Sequence, residues 1–125
     1  MNKLRYLFFA FWVGTILFLS LVPVPQVDAP NNIDKVVHFL MYFLTSLVFY
    51  LTFHKKFLNV VINALIFSVL LGTFIEILQH FVPYRGFSFG DILANCFGAL
   101  CGSFSISFFR KPLVQINNDN QERVE

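Results

Sequence analysis

Four stretches of the chain are almost wholly apolar, and short polar segments separate them. Residues 6–22, 36–53, 57–82 and 92–109 each fall in or close to the roughly 17–25 residues that a helix needs to cross a bilayer. Of Asp, Glu, Lys and Arg, these stretches contain Glu76 alone. The pattern predicts an all-α integral membrane four-helix bundle over residues 1–110. A polar stretch, 111–125, follows and closes on NNDNQERVE; its low hydrophobicity predicts a disordered tail. Lys3 and Arg5 precede the first span as they would a secretory signal. That span is long for a signal, and Pro23, Pro25 and Gln26 stand where a small-residue cleavage site would lie, so a retained helix is expected.

The short connections set the direction of the bundle. Lys3, Arg5, Lys55, Lys56, Arg110, Lys111 and Arg123 fall on one side, and Lys35 and Arg85 on the other. The excess of positive residues marks the cytoplasmic side. Both termini are therefore expected inside, with the 23–35 and 83–91 connections outside.

Polar positions inside the spans carry the next step. Lys35 and His38 open the second span, Asp91 and Asn95 open the fourth, and Glu76 and Gln79 lie late in the third. At 1.5 Å per residue, Glu76 lies roughly 10 Å below the outer boundary and Asn95 roughly 6 Å below it. His38 lies near the same level, and Arg85 is in the connection above. Angular position agrees. Gly72, Thr73, Gln79 and His80 fall within about 60° of Glu76; Ala94, Asn95, Gly98, Gly102 and Ser105 fall similarly about Asp91. On the second span Lys35, His38, Tyr42 and Ser46 share a face. These faces are expected to turn inward, leaving the aromatic and aliphatic faces to lipid. A carboxylate at membrane depth costs at least about 2.5 kcal/mol unless paired, protonated or hydrated, so Glu76 marks a site by default.

The candidate pocket comprises Lys35, His38, Tyr42, Glu76, Gln79, Arg85, Ser88, Asp91 and Asn95. Lys35 and Arg85 have the charge for an anionic headgroup or phosphate, and the Arg85 guanidinium can present a fork to it. His38 supplies a base of near-neutral range. Each residue also has a plainer reading. Ser88 or Asp91 can cap the fourth helix, Arg85 can pair with Asp91, and Glu76 can lock the bundle through Lys35 or Arg85. Gly98 and Gly102 form a G-x-x-x-G pair that lets a helix approach closely, within the bundle or, second, between copies.

Composition narrows the functions. Hydrophobic residues make up 57% and charged residues 13% of the 125, against about 25% charged in ordinary soluble domains. Phe occurs 18 times, which suits lipid contact. The net charge of +2 is small and scattered, so nucleic acid is not an expected partner. Cys96 and Cys101 lie about 140° apart on one helix and do not bridge there. No cofactor or metal is expected; a set of Glu76, His80 and His38 is the lesser alternative, and H-E-x-x-H is absent. One short polar layer gives no path across the membrane, which argues against transport by a single copy.

Taken in series, these positions resemble the VanZ-like family of small membrane proteins. The match reads Asp34, Lys35, His38, Phe39 and Tyr42, then Glu76, Gln79, Phe81, Pro83, Arg85, Ser88, Asp91, Asn95, Gly98 and Gly102. It covers about residues 23–105. The resemblance implies a multi-pass protein of a bacterial plasma membrane. For the member that names the family it implies low-level resistance to teicoplanin, a lipidated glycopeptide acting on wall precursors outside the cell. The family carries no agreed catalytic residues, so none are transferred. The leading expectation is an envelope protein whose outward pocket binds an amphiphile: a lipid headgroup, a wall precursor or a lipoglycopeptide. The alternatives are an integral-membrane enzyme acting on a lipid phosphate, with His38 or Glu76 as base, and a structural membrane subunit. The bilayer is the expected partner, and an oligomer is compatible with the sequence.

Overall fold

The computed structural model describes residues 2–23, 32–56 and 58–122, with residue 2 and residues 110–122 in backbone only. The chain forms helices α1 (Asn2–Leu21), α2 (Ile33–Phe53), α3 (Val60–Gln79) and α4 (Phe89–Glu122). All four contain windows long and apolar enough to cross a membrane, the window in α4 being Phe89–Phe109. Each helix therefore satisfies its backbone groups internally, as a hydrocarbon solvent demands. Most of the 23–35 connection, Phe57 and Arg123 lie outside the described residues, as do the side chains of Arg110 and Lys111.

Two boundaries differ from the hydropathy pattern. α3 begins at Val60 and ends at Gln79, inside the apolar stretch 57–82. At its end Phe81 and Val82 donate to Leu78 and Gln79 in tighter turns, as expected before Pro83, which disfavours helix at the residue preceding it. α4 continues in backbone to Glu122, where the polar composition predicts disorder. Extending an existing helix requires no new nucleus.

α2, α3 and α4 pack against one another, while α1 packs on α2 and α3. The α2–α4 approach is the tightest. A Cβ on Gly98 would collide with the carbonyl of Phe39, and one on Gly102 would meet the Phe43 carbonyl and Ser46. Mid-bundle, Ser46 Oγ lies 3.0 Å from Ser68 Oγ and donates to the Ala99 carbonyl at 3.2 Å, tying three helices. Trp12 Nε1 donates to Thr45 Oγ1 at 3.1 Å and ties α1 to α2.

The distribution of side chains is inverted relative to a soluble domain. His38, Thr45, Ser46, Ser68, Glu76, Gln79, Asp91, Asn95 and Ser103 are buried. Phe8, Phe11, Phe18, Phe74, Phe97, Phe104, Phe108 and Phe109 are exposed. A surface this apolar is stable against lipid and marks an aggregation hazard in water. An aromatic cluster of Phe9, Phe49, Phe53 and Phe67 fills the end where α1 and α3 begin. A groove of about 360 Å³ between α2 and α4, lined by Phe43, Tyr50, Ile106 and Phe109 among others, is also apolar. Polar chemistry is concentrated at the opposite end, where α2 and α4 start and α3 stops.

Candidate functional site

The α3–α4 connection builds this end. Arg85 N–H donates to the Val82 carbonyl at 3.2 Å, closing a turn with Pro83 and Tyr84 at its centre. Tyr84 has φ 65°, the positive value that the third position of a type II turn requires, and Pro83 holds the position before it. Four residues later Ser88 starts α4 as its N-cap: the amide of Asp91 donates to Ser88 Oγ at 3.3 Å. In a capping box the acidic residue three positions on would return the bond to the cap's own N–H. Here that role passes to α3, because Ser88 N–H donates to Glu76 Oε1 at 2.7 Å. Glu76 thus serves an orphan amide of α4, at the helix end that favours negative charge. It is fully buried.

Around this link the other groups assemble in a layer. His38 Nδ1 and Asn95 Oδ1 are 2.9 Å apart. The amide oxygen only accepts, so Nδ1 carries the hydrogen and, in the neutral ring, Nε2 carries the lone pair. Nε2 faces Asp34 Oδ1 at 3.8 Å, one helical turn back on α2. Tyr42 lies one turn further along α2 and is buried. Gly72 makes room for both neighbours: a Cβ there would sit 3.0 Å from Asn95 Nδ2 and from the Tyr42 ring. Lys35 crosses the first turn of α4, where its stem would meet a Cβ placed on Gly90 at 2.9 Å. Two fully buried atoms of the layer, Glu76 Oε2 and Asn95 Nδ2, have no hydrogen-bond partner among the described residues.

Seven of the nine predicted pocket residues therefore meet: Lys35, His38, Tyr42, Glu76, Ser88, Asp91 and Asn95. Gln79 and Arg85 are directed to α1. Gln79 Nε2 donates to the Ser20 carbonyl at 3.0 Å, and Arg85 Nη2 to the Leu19 carbonyl at 3.4 Å. Both acceptors belong to the last turn of α1, whose carbonyls have no helical partner, and a cation there also complements the helix dipole. The Arg85–Asp91 and Arg85–Glu76 pairs weighed from the sequence are replaced by this capping contact. The Glu76, His80 and His38 metal set does not assemble, since His80 is exposed beyond the end of α3. Among the described residues, the group with metal-ligand spacing is Asp34, His38 and Asp91, with ligand atoms within 4.8 Å of one another. Asp34 is the residue that the pocket prediction missed. Its spacing from His38, four positions, was the available signal, but an acid in a first helical turn reads first as a dipole partner.

Fold and site together define a multi-pass α-helical membrane protein with a polar layer buried at one end of its bundle. The chain belongs to the VanZ/LLP1 family, whose model matches residues 3–110. It is also 35% identical over 94 residues to an uncharacterized protein of the yeast Schizosaccharomyces pombe. That alignment covers 74% of this chain and 57% of the yeast protein. No solved structure matches the chain.

Proposed function

We propose that the polar layer is an outward-facing pocket that binds the headgroup of an amphiphile at the outer leaflet. The observation that carries this reading is the pair of unpartnered atoms in the layer, Glu76 Oε2 and Asn95 Nδ2. Buried polar groups are normally satisfied, and each one left alone costs about 1–3 kcal/mol. A bound headgroup with both donors and acceptors satisfies them. Lys35 stands at the same mouth and offers a charge to a phosphate or carboxylate. The outward direction rests on the Lys and Arg distribution, seven against two. The ligand class proposed, a lipid headgroup, wall precursor or lipoglycopeptide of the teicoplanin type, and the setting, the plasma membrane of a bacterium, rest on the resemblance to the VanZ-like family alone.

Binding to protein in lipid nanodiscs tests this reading. Fluorescent teicoplanin, a polyprenyl-linked wall precursor and phosphatidylglycerol are the three probes. One of them should bind saturably, and Glu76→Gln should weaken it at least about tenfold, the equivalent of one charged hydrogen bond. Equal affinity in the variant, or no saturable probe, overturns the reading.

A second reading is favoured by one contact. The His38–Asn95 bond orients the imidazole with Nε2 free to accept a proton, as a general base acting on a lipid phosphate would require. Turnover of a lipid phosphate by purified protein, lost in His38→Ala, would establish it.

A further inference from the structure

The polar layer holds three carboxylates, those of Asp34, Glu76 and Asp91, and one lysine, Lys35. Asp34 and Asp91 cluster with His38, in the layer that Lys35 and Glu76 also enter. When all three carboxylates are ionised, the layer has two more negative charges than Lys35 balances. A divalent cation would offset that excess and leave Lys35 to an anionic headgroup.

We propose that Asp34, His38 and Asp91 bind a divalent transition-metal ion of the zinc class. Three observations support it. First, the ligand atoms lie within 4.8 Å of one another. Bonds of about 2.0–2.1 Å at tetrahedral angles place ligands roughly 3.3 Å apart, and Asp34, exposed in the first turn of α2, can close that difference by a rotamer change. Second, His38 is prepared as a ligand. Its Nδ1–H is held by the Asn95 amide oxygen at 2.9 Å, which leaves Nε2 for the metal and fixes the ring plane. Metal-bound histidines almost always carry an outer partner of this kind. Third, the layer that holds these three residues also holds the fully buried Glu76 carboxylate. Its Oε2 is fully buried with no hydrogen-bond partner among the described residues.

The donor set selects the ion. One imidazole nitrogen with two carboxylates suits Zn²⁺, Mn²⁺ or Fe²⁺, whereas Mg²⁺ and Ca²⁺ prefer all-oxygen shells. Three protein ligands leave a position open for water or for an oxygen of a bound headgroup. The cation site goes beyond headgroup binding and does not depend on it.

The test uses the full chain in a neutral detergent, stripped with chelator and titrated with ZnCl₂ and, separately, MgCl₂. No headgroup ligand is present, so the outcome is separate from that of the nanodisc experiment. The expected result is one Zn²⁺ per chain, with Mg²⁺ at least tenfold weaker. Asp34→Asn and Asp91→Asn should each weaken Zn²⁺ at least about tenfold, and Asn95→Ala by 10–100-fold through the outer partner. His80→Gln, an exposed histidine outside the cluster, should leave affinity unchanged. Co²⁺ substitution should give visible d–d bands that Asp34→Asn shifts. Asp34 is exposed, so this variant keeps the fold even if Asp91→Asn does not, and a helical melt confirms it. Absence of saturable Zn²⁺ binding, undiminished affinity in folded Asp34→Asn, or equal loss in His80→Gln overturns the proposal.

Discussion

Glu76 shows how one side chain can carry two duties in an apolar span. Its first oxygen receives the Ser88 amide at 2.7 Å, and its second remains unpartnered. These duties separate by substitution. Glu76→Gln keeps a carbonyl oxygen for Ser88, so its melting temperature in detergent should fall little, a loss of under about 1 kcal/mol. Glu76→Ala leaves the amide without an acceptor and opens a void, which should cost about 2–4 kcal/mol. Equal destabilisation by the two variants would contradict the assigned bond. The residue itself was legible in the sequence, since a lone carboxylate in an otherwise uncharged span invites a question. Its partner was not. A backbone amide has no letter of its own, and the one used here is fixed by the turn at Tyr84 and the start of α4.

At the scale of elements, the α2–α4 seam is the least tolerant part of the bundle. The Cβ of any residue at Gly98 would overlap the backbone of Phe39. Because the obstacle is backbone, the helices themselves must move. Gly98→Ala should cost about 1–3 kcal/mol, at the level of an overpacked core, and Gly98→Leu should abolish the monodisperse folded species by size-exclusion chromatography. Gly14, where an added Cβ meets nothing within 4 Å, is the matched control. The four helices and their inward faces were readable from the spacing of small and polar residues. Which helix meets the glycine pair was not, because G-x-x-x-G specifies closeness and not a partner. The roles of Gln79 and Arg85 were hidden for the same reason. Both were placed in the pocket by depth, whereas the carbonyls they cap lie on a different helix at the same level.

At the scale of the whole molecule, the polar layer has a position but its orientation is a matter of topology. Alkaline phosphatase fusions after Arg85 should be active, and green fluorescent protein fusions after Lys56 should fluoresce, if the excess of Lys and Arg faces the cytoplasm. The reverse pattern would put the pocket inside the cell and remove the outer leaflet from consideration. α1 differs from its neighbours here, since among the described residues it contacts α2 and α3 but not α4. Its final carbonyls are served by Gln79 and Arg85, side chains on the same connection side as the α4 cap.

The end of α3 thus holds α4 through Glu76 and α1 through Gln79. A guest of the kind proposed that drew the Glu76 carboxylate toward itself would loosen the first turn of α4, while Gln79 would keep its bond to α1. Arrival of such a guest would register as fraying at one rod and not at its neighbour, and amide exchange at Ser88–Asp91 relative to Leu19–Leu21 would read it with no label on the guest.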